Sequence, residues 1–208
     1  APGQYGDMPF LVWIMCGLIP WFFFSDGINS VTSVFLEYSY LVKKVVFDIN
    51  ILPVIKIISA MFVHIFFIFL IFIVMALFGY MPSICYIQAF YYSFCMICLI
   101  LAIGYFTSSL SVFFRDLPQF VQVCLSAGMW LTPIMWAFDM LQGYWFSFIF
   151  KLNPMFYVVE GYRSAILGHQ WVFSNWKLTI YFWCVVVLLT LIGRNVFKKM
   201  KPHFADVL

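Results

Sequence analysis

The cysteine and histidine residues are the first places to look for chemistry in this chain. Cys95 and Cys98 have the Cys-x-x-Cys spacing of redox-active thiol pairs, but the sequence around them contains no charged residue. Such an apolar setting favours two small buried side chains over a reactive pair. His64, His169 and His203 lie far apart in the sequence without clustered ligand residues, so we expect no metal site.

No catalytic motif accompanies these residues. The sequence contains no G-x-S-x-G, no H-E-x-x-H and no phosphate-binding G-x-x-x-x-G-K-S/T. Paired carboxylates suited to glycosyl chemistry are also missing from it. We therefore predict that the chain is not an enzyme and that the energy for any work it does comes from another chain.

The elements that would position reactive groups are apolar. Hydrophobic residues make up 65% and charged residues only 9% of the chain, against about 25% charged residues in soluble domains. From 57 to 114 the sequence has no Asp, Glu, Lys or Arg, so no water-exposed helix face can form there. Since about 20 helical residues cross a ~30 Å hydrocarbon core, this stretch predicts two spans, with a turn at Gly79-Tyr80-Met81-Pro82-Ser83.

The predicted fold is an all-α, multi-pass transmembrane bundle with five spans. The positive-inside rule favours an N-terminus outside and a C-terminus inside for this chain. Because the chain has neither an initiator Met nor a basic leader, we expect a fragment that lacks one upstream span, with six spans in the intact protein. The five predicted spans are residues 8–24, 57–79, 84–112, 120–138 and 178–193.

Within those bounds the spans contain no charged residue, and His64 is their only titratable side chain of note. Proton- or sodium-coupled carriers and voltage sensors place ionisable groups at mid-membrane, so the sequence argues against both. We expect His64 to hydrogen-bond to a neighbouring helix rather than to relay protons.

Two connecting segments have patterns of their own. Residues 37–49 place apolar side chains on one face of a helix, which either lies among lipid headgroups, the interpretation that the sequence alone favours, or docks a cytoplasmic partner. Residues 139–176 hold two apolar stretches, 140–150 and 155–167, that are too short to cross a membrane and are separated by Asn153-Pro154. They predict a re-entrant hairpin or a hairpin that lies flat in the outer headgroup layer.

Aromatic side chains are abundant, with 27 Phe, 12 Tyr and 8 Trp. Most are expected at the membrane interface or against lipid, as are Tyr144 and Trp145. In a second interpretation, the cluster of residues 21–24 and the pair Trp130 and Trp136 line a path for sugars. Aromatic faces stack on the apolar faces of sugar rings without needing charge.

Six segments of the chain form a pattern in a fixed order. They are Gly17-Leu18-Ile19-Pro20-Trp21-Phe22-Phe23-Phe24-Ser25, Leu41-Val42-Lys43-Lys44-Val45, Ile51-Leu52-Pro53, Val112-Phe113-Phe114-Arg115-Asp116-Leu117, Leu131-Thr132-Pro133-Ile134, and Asn153-Pro154-Met155 with downstream Arg163. Together these segments resemble the type II ABC exporter permeases of the polysaccharide export family, whose members export lipid-linked polysaccharides such as O-antigen, capsule or teichoic acid. The resemblance runs from about residue 8 to residue 199, with one departure at Phe47-Asp48-Ile49-Asn50, where the family usually has Phe-Pro followed by charged residues.

This resemblance implies a homodimer of permeases in the bacterial cytoplasmic membrane, each docked to an ATP-binding subunit. ATP and Mg would be bound by that subunit, so we expect no cofactor in this chain, and no nucleic acid among its partners. Residues 1–208 would form a single permease domain without its N-terminal interface helix and first span, surrounded by membrane lipids. The substrate would be a lipid-linked polysaccharide.

The resemblance also implies two groups of functional residues. A coupling helix that docks the ATP-binding subunit would contain Glu37, Tyr38, Leu41, Val42, Lys43, Lys44, Phe47 and Asp48, with Arg115 and Asp116 in a second cytoplasmic turn. Candidates for the channel and its outer gate are Trp21, Phe22, Phe24, Trp130, Trp136, Tyr144, Trp145, Asn153, Pro154, Glu160 and Arg163.

Two other functions are carried as alternatives. One is a permease of the same superfamily that moves drugs or small lipids. The other is a membrane transferase acting on lipid-linked sugars, for which Asp139, Glu160 and His169 are the only outward candidates and form no recognisable catalytic set.

Overall fold

The computed structural model describes residues 9–42, 48–80, 83–141, 143–145, 147–168 and 170–207, and these are helical or form turns, without a strand. Short 3₁₀ turns precede or join several helices, at Ile84–Ile87, Phe138–Leu141, Val172–Asn175 and Lys201–His203. The α-helices are α1 Phe10–Thr32, α2 Val34–Glu37, α3 Ser39–Val42, α4 Ile51–Leu77, α5 Gln88–Ser111, α6 Leu117–Leu131, α7 Ser147–Lys151, α8 Pro154–Ile166, α9 Trp176–Met200 and α10 Phe204–Val207.

Four segments of this described part are long and apolar enough to cross a membrane, which confirms the multi-pass helical bundle. They are Phe10–Thr32, Ile51–Leu77, Ile84–Ser111 and Trp176–His203. We call the end of the bundle that holds α7 and α8 the hairpin end. The opposite end, where α2, the start of α4 and the end of α9 meet, is called the basic end.

The predicted span 120–138 is wrong in its extent. Helix α6 has 15 residues and ends at Leu131, which gives it a length of about 22 Å against a core of ~30 Å. Thr132 adopts an extended conformation (φ −88°, ψ 135°) and is followed by Pro133. The proline ring disfavours a helical conformation at the preceding residue, so the helix stops there.

Helices α1, α4 and α9 each extend beyond at least one of their predicted bounds, and these extensions contain charged residues. Helix α1 continues to Thr32 and includes an exposed Asp26, α4 includes Lys56, and α9 continues into its basic last turns. These charges all lie outside the predicted bounds of the spans, in the parts of the helices that extend past them. In α1 the extension is stabilised by packing against α5, because Thr32 and Thr107 share a buried hydrogen bond of 2.8 Å between their hydroxyl groups.

The amphipathic segment is not the single helix that the periodicity of 37–49 predicts. Two short helices, α2 and α3, are separated at Tyr38, and Lys43, Lys44 and Phe47 lie outside the described residues. The apolar face of the described part packs on the protein itself. Tyr38, Leu41 and Val42 contact a small core at the basic end, formed by Val34, Phe35, Ile49, Leu52, Val112, Phe197 and Phe204.

Helix α5 lies at the centre of the bundle and packs against α1, α4, α8 and α9. Its contact with α9 is close enough that a Cβ atom at Gly193 would lie 2.7 Å from the backbone oxygen of Ala102. Small residues at such contacts let helix backbones approach within a membrane, where van der Waals packing replaces the hydrophobic effect.

The hairpin is formed differently in its two arms. The first arm is broken between Phe138–Leu141 and α7, and Gly143 in this break has a φ of 99°. The second arm is α8, which begins as predicted at Asn153-Pro154: the Asn153 side chain accepts a hydrogen bond from the Met155 amide at 3.0 Å. Most of α8 is buried against α1, α5 and α9, which favours the re-entrant arrangement over a hairpin that lies flat.

Candidate functional site

A cavity of about 340 Å³ lies between α1, α5, α6 and the start of α8. None of its described lining residues carries a charge. Four of the channel candidates, Trp21, Phe24, Asn153 and Pro154, are brought together here. The other lining residues are Ile28, Ile103, Thr107, Val121, Cys124, Leu125, Gly128 and Met155. The cavity therefore offers an apolar, aromatic surface with a few neutral polar groups.

The Asn153 side of this cavity is held by a contact between the end of α6 and the start of α8. The Asn153 amide donates a hydrogen bond of 2.8 Å to the Thr132 hydroxyl, and the same side chain caps α8 through its oxygen. Because Thr132 directly follows α6, this bond ties the end of α6 to the start of α8. Gly128 in α6 leaves room for the Trp21 ring, since a Cβ atom there would lie 3.2 Å from it.

Arg163 of α8 holds the hairpin end together. Its guanidinium donates to the backbone oxygens of Pro133 at 2.6 Å and Ile134 at 2.7 Å, and it pairs with Glu160 at 2.9 Å. The guanidinium also stacks on the Trp13 ring, 3.9 Å from the ring centre. Arg163 is 1% exposed, so this cation is paired and hydrogen-bonded within a dry environment.

A second polar cluster connects α8 to α4 and α5. His64 Nε2 lies 3.0 Å from the Ser93 hydroxyl and 3.1 Å from that of Tyr162, and the two hydroxyls are 2.7 Å apart. The imidazole stacks on Phe23 at 4.4 Å. The expectation that His64 bonds to a neighbouring helix is confirmed, and its partners are on two helices.

The basic end carries most of the described coupling candidates. Glu37 pairs with Lys56 at 2.6 Å and accepts a hydrogen bond from Ser33, while Lys56 also lies over the Tyr38 ring, 5.1 Å from its centre. Burial alone would raise the pKa of Glu37, but the hydrogen bonds from Lys56 and Ser33 and the charge of Lys56 outweigh it, so the pKa lies below its ordinary value.

Asp48 lies nearby at the surface. Its carboxylate accepts a hydrogen bond from the Asn50 amide and lies 3.5 Å from Lys201, and the pKa of Asp48 is lowered mainly by the Asn50 hydrogen bond. Arg115 and Asp116 are exposed in the turn that joins α5 to α6 at the same end.

The remaining channel candidates do not line the cavity. Phe22, Trp130, Tyr144 and Trp145 are exposed, and the Trp136 ring nitrogen donates to the Trp130 backbone oxygen at 3.1 Å. Glu160 pairs with Arg163, and His169 lies outside the described residues.

Helix α6 contributes four lining residues to the cavity that were not among the predicted channel residues. Val121, Cys124, Leu125 and Gly128 follow one another at helical spacing and share one face of that helix. This pattern was available in the sequence, but it is hidden because almost every neighbouring residue is also apolar.

Apolar helices long enough to span a membrane surround a cavity whose described lining residues are uncharged. The chain belongs to the ABC-2 type transporter family, whose profile matches residues 3–167. Two O-antigen export system permease proteins named RfbA illustrate the relationship. The one from Klebsiella pneumoniae is 26% identical over 96% of this chain and 76% of its own length, and the one from Myxococcus xanthus is 22% identical over the same shares.

Family membership identifies this chain as the permease of an ABC exporter and implies an ATP-binding subunit as its partner. Its role is therefore transport across a membrane.

Proposed function

We propose that this permease exports a lipid-linked polysaccharide across the bacterial cytoplasmic membrane. The observation that carries the proposal is the uncharged cavity beside Trp21, Phe24 and the start of α8. A neutral glycan that slides past such a wall meets aromatic faces and single hydrogen-bonding groups, but no charge that would hold it strongly. The printed names of the relatives, which are O-antigen export permeases, support the same substrate class.

The path opens by movement of α6. This helix has no fully buried residue, whereas α1, α5 and α8 are buried over much of their length. Separation of α6 from α1 would enlarge the cavity at the side where Trp21 meets Gly128. A second copy of the permease would supply the opposite wall.

The force comes from the partner subunit, which binds ATP and Mg. It docks at the basic end against residues 37–48 and against Arg115 and Asp116. Since α6 begins at Leu117, a displacement of this turn is transmitted directly to the helix that borders the cavity.

Filling the cavity tests the proposed path. Gly128→Leu would place a side chain against Trp21, and we expect surface polysaccharide to fall at least tenfold while the permease is still present in the membrane. Ala127→Leu, on the exposed side of the same helix, is the matched control and should export normally. Normal export by the Gly128 variant would exclude this cavity as the path.

The docking segment is tested by charge reversal. Replacing Lys43 and Lys44 by Glu should reduce both export and the ATPase activity that depends on the permease, and Lys177→Glu at the hairpin end should not. Unchanged export would remove the docking assignment.

The apolar lining also favours a second candidate substrate, a small lipid or an apolar drug. Thr107 and Asn153 provide the only side-chain hydroxyl and amide groups among the described lining residues. Purification of the complex separates the candidates, because a bound glycolipid supports polysaccharide export and a bound small lipid supports the alternative.

A further inference from the structure

A second cavity, of about 360 Å³, opens between the start of α4, α5 and the last turns of α9. One side of the cavity is aromatic, formed by Tyr105 and Phe197, and the other side carries the basic residues Arg194, Lys198 and Lys201. The lining residues are Asn50, Tyr105, Thr190, Arg194, Phe197, Lys198 and Lys201. We call this cavity the basic pocket.

The positive charges of the basic pocket are only partly neutralised. Lys201 lies 3.5 Å from Asp48 and 3.2 Å from the Asn50 side-chain oxygen. Among the described side chains, no carboxylate lies within 4 Å of Arg194 or Lys198. Arg194 and Lys198 thus have no carboxylate partner within the described part of the chain, and the pocket is electrostatically suited to an anion.

An apolar part of the α9 surface follows the basic pocket along the helix toward its N-terminus. A surface depression of about 510 Å³ is lined by Thr179, Ile180, Trp183, Cys184, Val187, Leu188 and Leu191. Ile180, Cys184, Val187, Leu191, Arg194 and Lys198 alternate at spacings of four and three residues, so they share one face of the helix. This face, which we call the α9 groove, is apolar for most of its length and basic at its end.

The dimensions of the groove match one lipid. From Arg194 to Ile180 the helix rises about 21 Å, and one leaflet of a ~30 Å hydrocarbon core is about 15 Å deep. An acyl chain that starts at the basic pocket would thus remain in contact with the α9 groove through its whole leaflet.

We infer that the α9 groove and the basic pocket together bind one anionic glycerophospholipid. Its phosphate contacts Arg194 and Lys198, and an acyl chain lies along Val187 and Leu191. Basic pockets between membrane helices bind anionic headgroups in this way. A zwitterionic headgroup carries its own compensating cation and gains less from the two free charges. The site lies on the opposite side of α5 from the transport cavity, and it goes beyond the proposed function.

Native mass spectrometry of the full-length permease with its ATP-binding subunit tests this inference, with phosphatidylglycerol and phosphatidylcholine as probes. We expect the wild type to retain one phosphatidylglycerol per permease in preference to phosphatidylcholine. Arg194→Gln combined with Lys198→Gln should weaken phosphatidylglycerol binding about thirtyfold, which is about 1 kcal/mol for each charge. Lys177→Gln, an exposed cation at the other end of the same helix, should leave binding unchanged.

A second variant tests the apolar half without changing charge. Leu191→Gln should weaken phosphatidylglycerol binding about fourfold, the contribution of roughly one buried methylene group.

Equal retention of the two lipids by the wild type, or equal losses in the double variant and in Lys177→Gln, would overturn the inference. Displacement of phosphatidylglycerol by inorganic phosphate would reduce the pocket to an anion site, and displacement by an isoprenyl diphosphate would assign it to the transported lipid. Either result also overturns the inference, and none of these readouts depends on export.

Discussion

The hairpin end and the basic end each join several helices, but they do so with opposite kinds of interaction. At the hairpin end a fully buried guanidinium contacts two backbone oxygens, a carboxylate and an aromatic ring. At the basic end the pair of Glu37 and Lys56 is partly open to solvent, with side-chain exposures of 46% and 22%. The pair of Asp48 and Lys201 is more exposed still.

This difference has an energetic consequence. Loss of one partner in a buried network leaves the others desolvated and unpaired, so the hairpin end is costly to rearrange. Exposed pairs contribute between about 0 and 1 kcal/mol, because water replaces each partner readily. The pairs at the basic end can therefore exchange partners at little cost, and the network at the hairpin end cannot.

The largest expected effect comes from removing the buried cation. Arg163→Met leaves the half-buried Glu160 without its partner and the buried backbone oxygens of Pro133 and Ile134 without donors, so we expect a loss of about 3 kcal/mol in stability. Thermal unfolding in detergent, followed by reaction of the buried thiols Cys16 and Cys95 with a fluorogenic maleimide, measures it.

Arg115→Met is the matched control for this substitution, because it removes an exposed arginine at the basic end. Its stability should stay within about 0.5 kcal/mol of the wild type. Equal shifts in the two variants would contradict the distinction between the two ends.

The second-largest expected loss of stability comes from a steric clash between α8 and α5. A Cβ atom at Gly161 would overlap the ring of Tyr92, so Gly161→Ala forces α8 away from α5 and should cost about 1–3 kcal/mol. The same unfolding measurement reports it. Gly27→Ala is the control, since its new methyl group meets only the Ile100 side chain, whose movable Cδ1 is the nearest atom at 2.8 Å. If the two variants unfold alike, the contact of α8 with α5 is more adaptable than the structure indicates.

A smaller effect is expected in the polar cluster. Tyr162→Phe removes a hydroxyl that contacts His64, Ser93 and the backbone oxygen of Ala89. Hydrogen bonds between membrane helices contribute about 0.6 kcal/mol on average, so we expect a loss near 1 kcal/mol. Tyr181→Phe removes a more exposed bond to Leu152 and should lose less. A larger loss in Tyr181→Phe would show that burial does not set the strength of these bonds.

Much of the bundle could be predicted from the sequence because hydropathy accumulates over a whole span. Helices α4, α5 and α9 were found in this way, and the Asn153-Pro154 helix start follows from local turn chemistry. The ends of α1 and α6 were not found. The first depends on a hydrogen bond between Thr32 and Thr107 across two helices, and the second on the conformation before Pro133.

The candidate site was predictable only in part for a related reason. The sequence singled out Trp21, Phe24, Asn153 and Pro154, which the fold brings to one cavity. Trp130 is also aromatic, but it lies two residues beyond Gly128, about 200° further around α6, and is 70% exposed. The rotation of a helix about its axis therefore decides which aromatic side chains line the cavity and which point outward. A sequence that is apolar on all sides of a helix carries little information about this rotation.

The smallest expected effect, at the basic end, also has the clearest dependence on pH. The folded-state pKa of Glu37 lies below its ordinary value, so the pair with Lys56 stabilises the protein above the unfolded-state pKa and loses this contribution as pH falls through the folded-state pKa. Glu37→Gln should thus lower stability by less than about 1 kcal/mol at pH 7, because the pair is partly exposed. The difference in unfolding free energy between the wild type and Glu37→Gln is measured at pH 7 and again below the ordinary pKa range of glutamate. We expect this difference to shrink at the lower pH. Asp48→Asn is the control at a fully exposed carboxylate, where a smaller gap is expected. A gap that widens on acidification would mean that Glu37 is held as the neutral acid, and the basic end would then resemble the hairpin end.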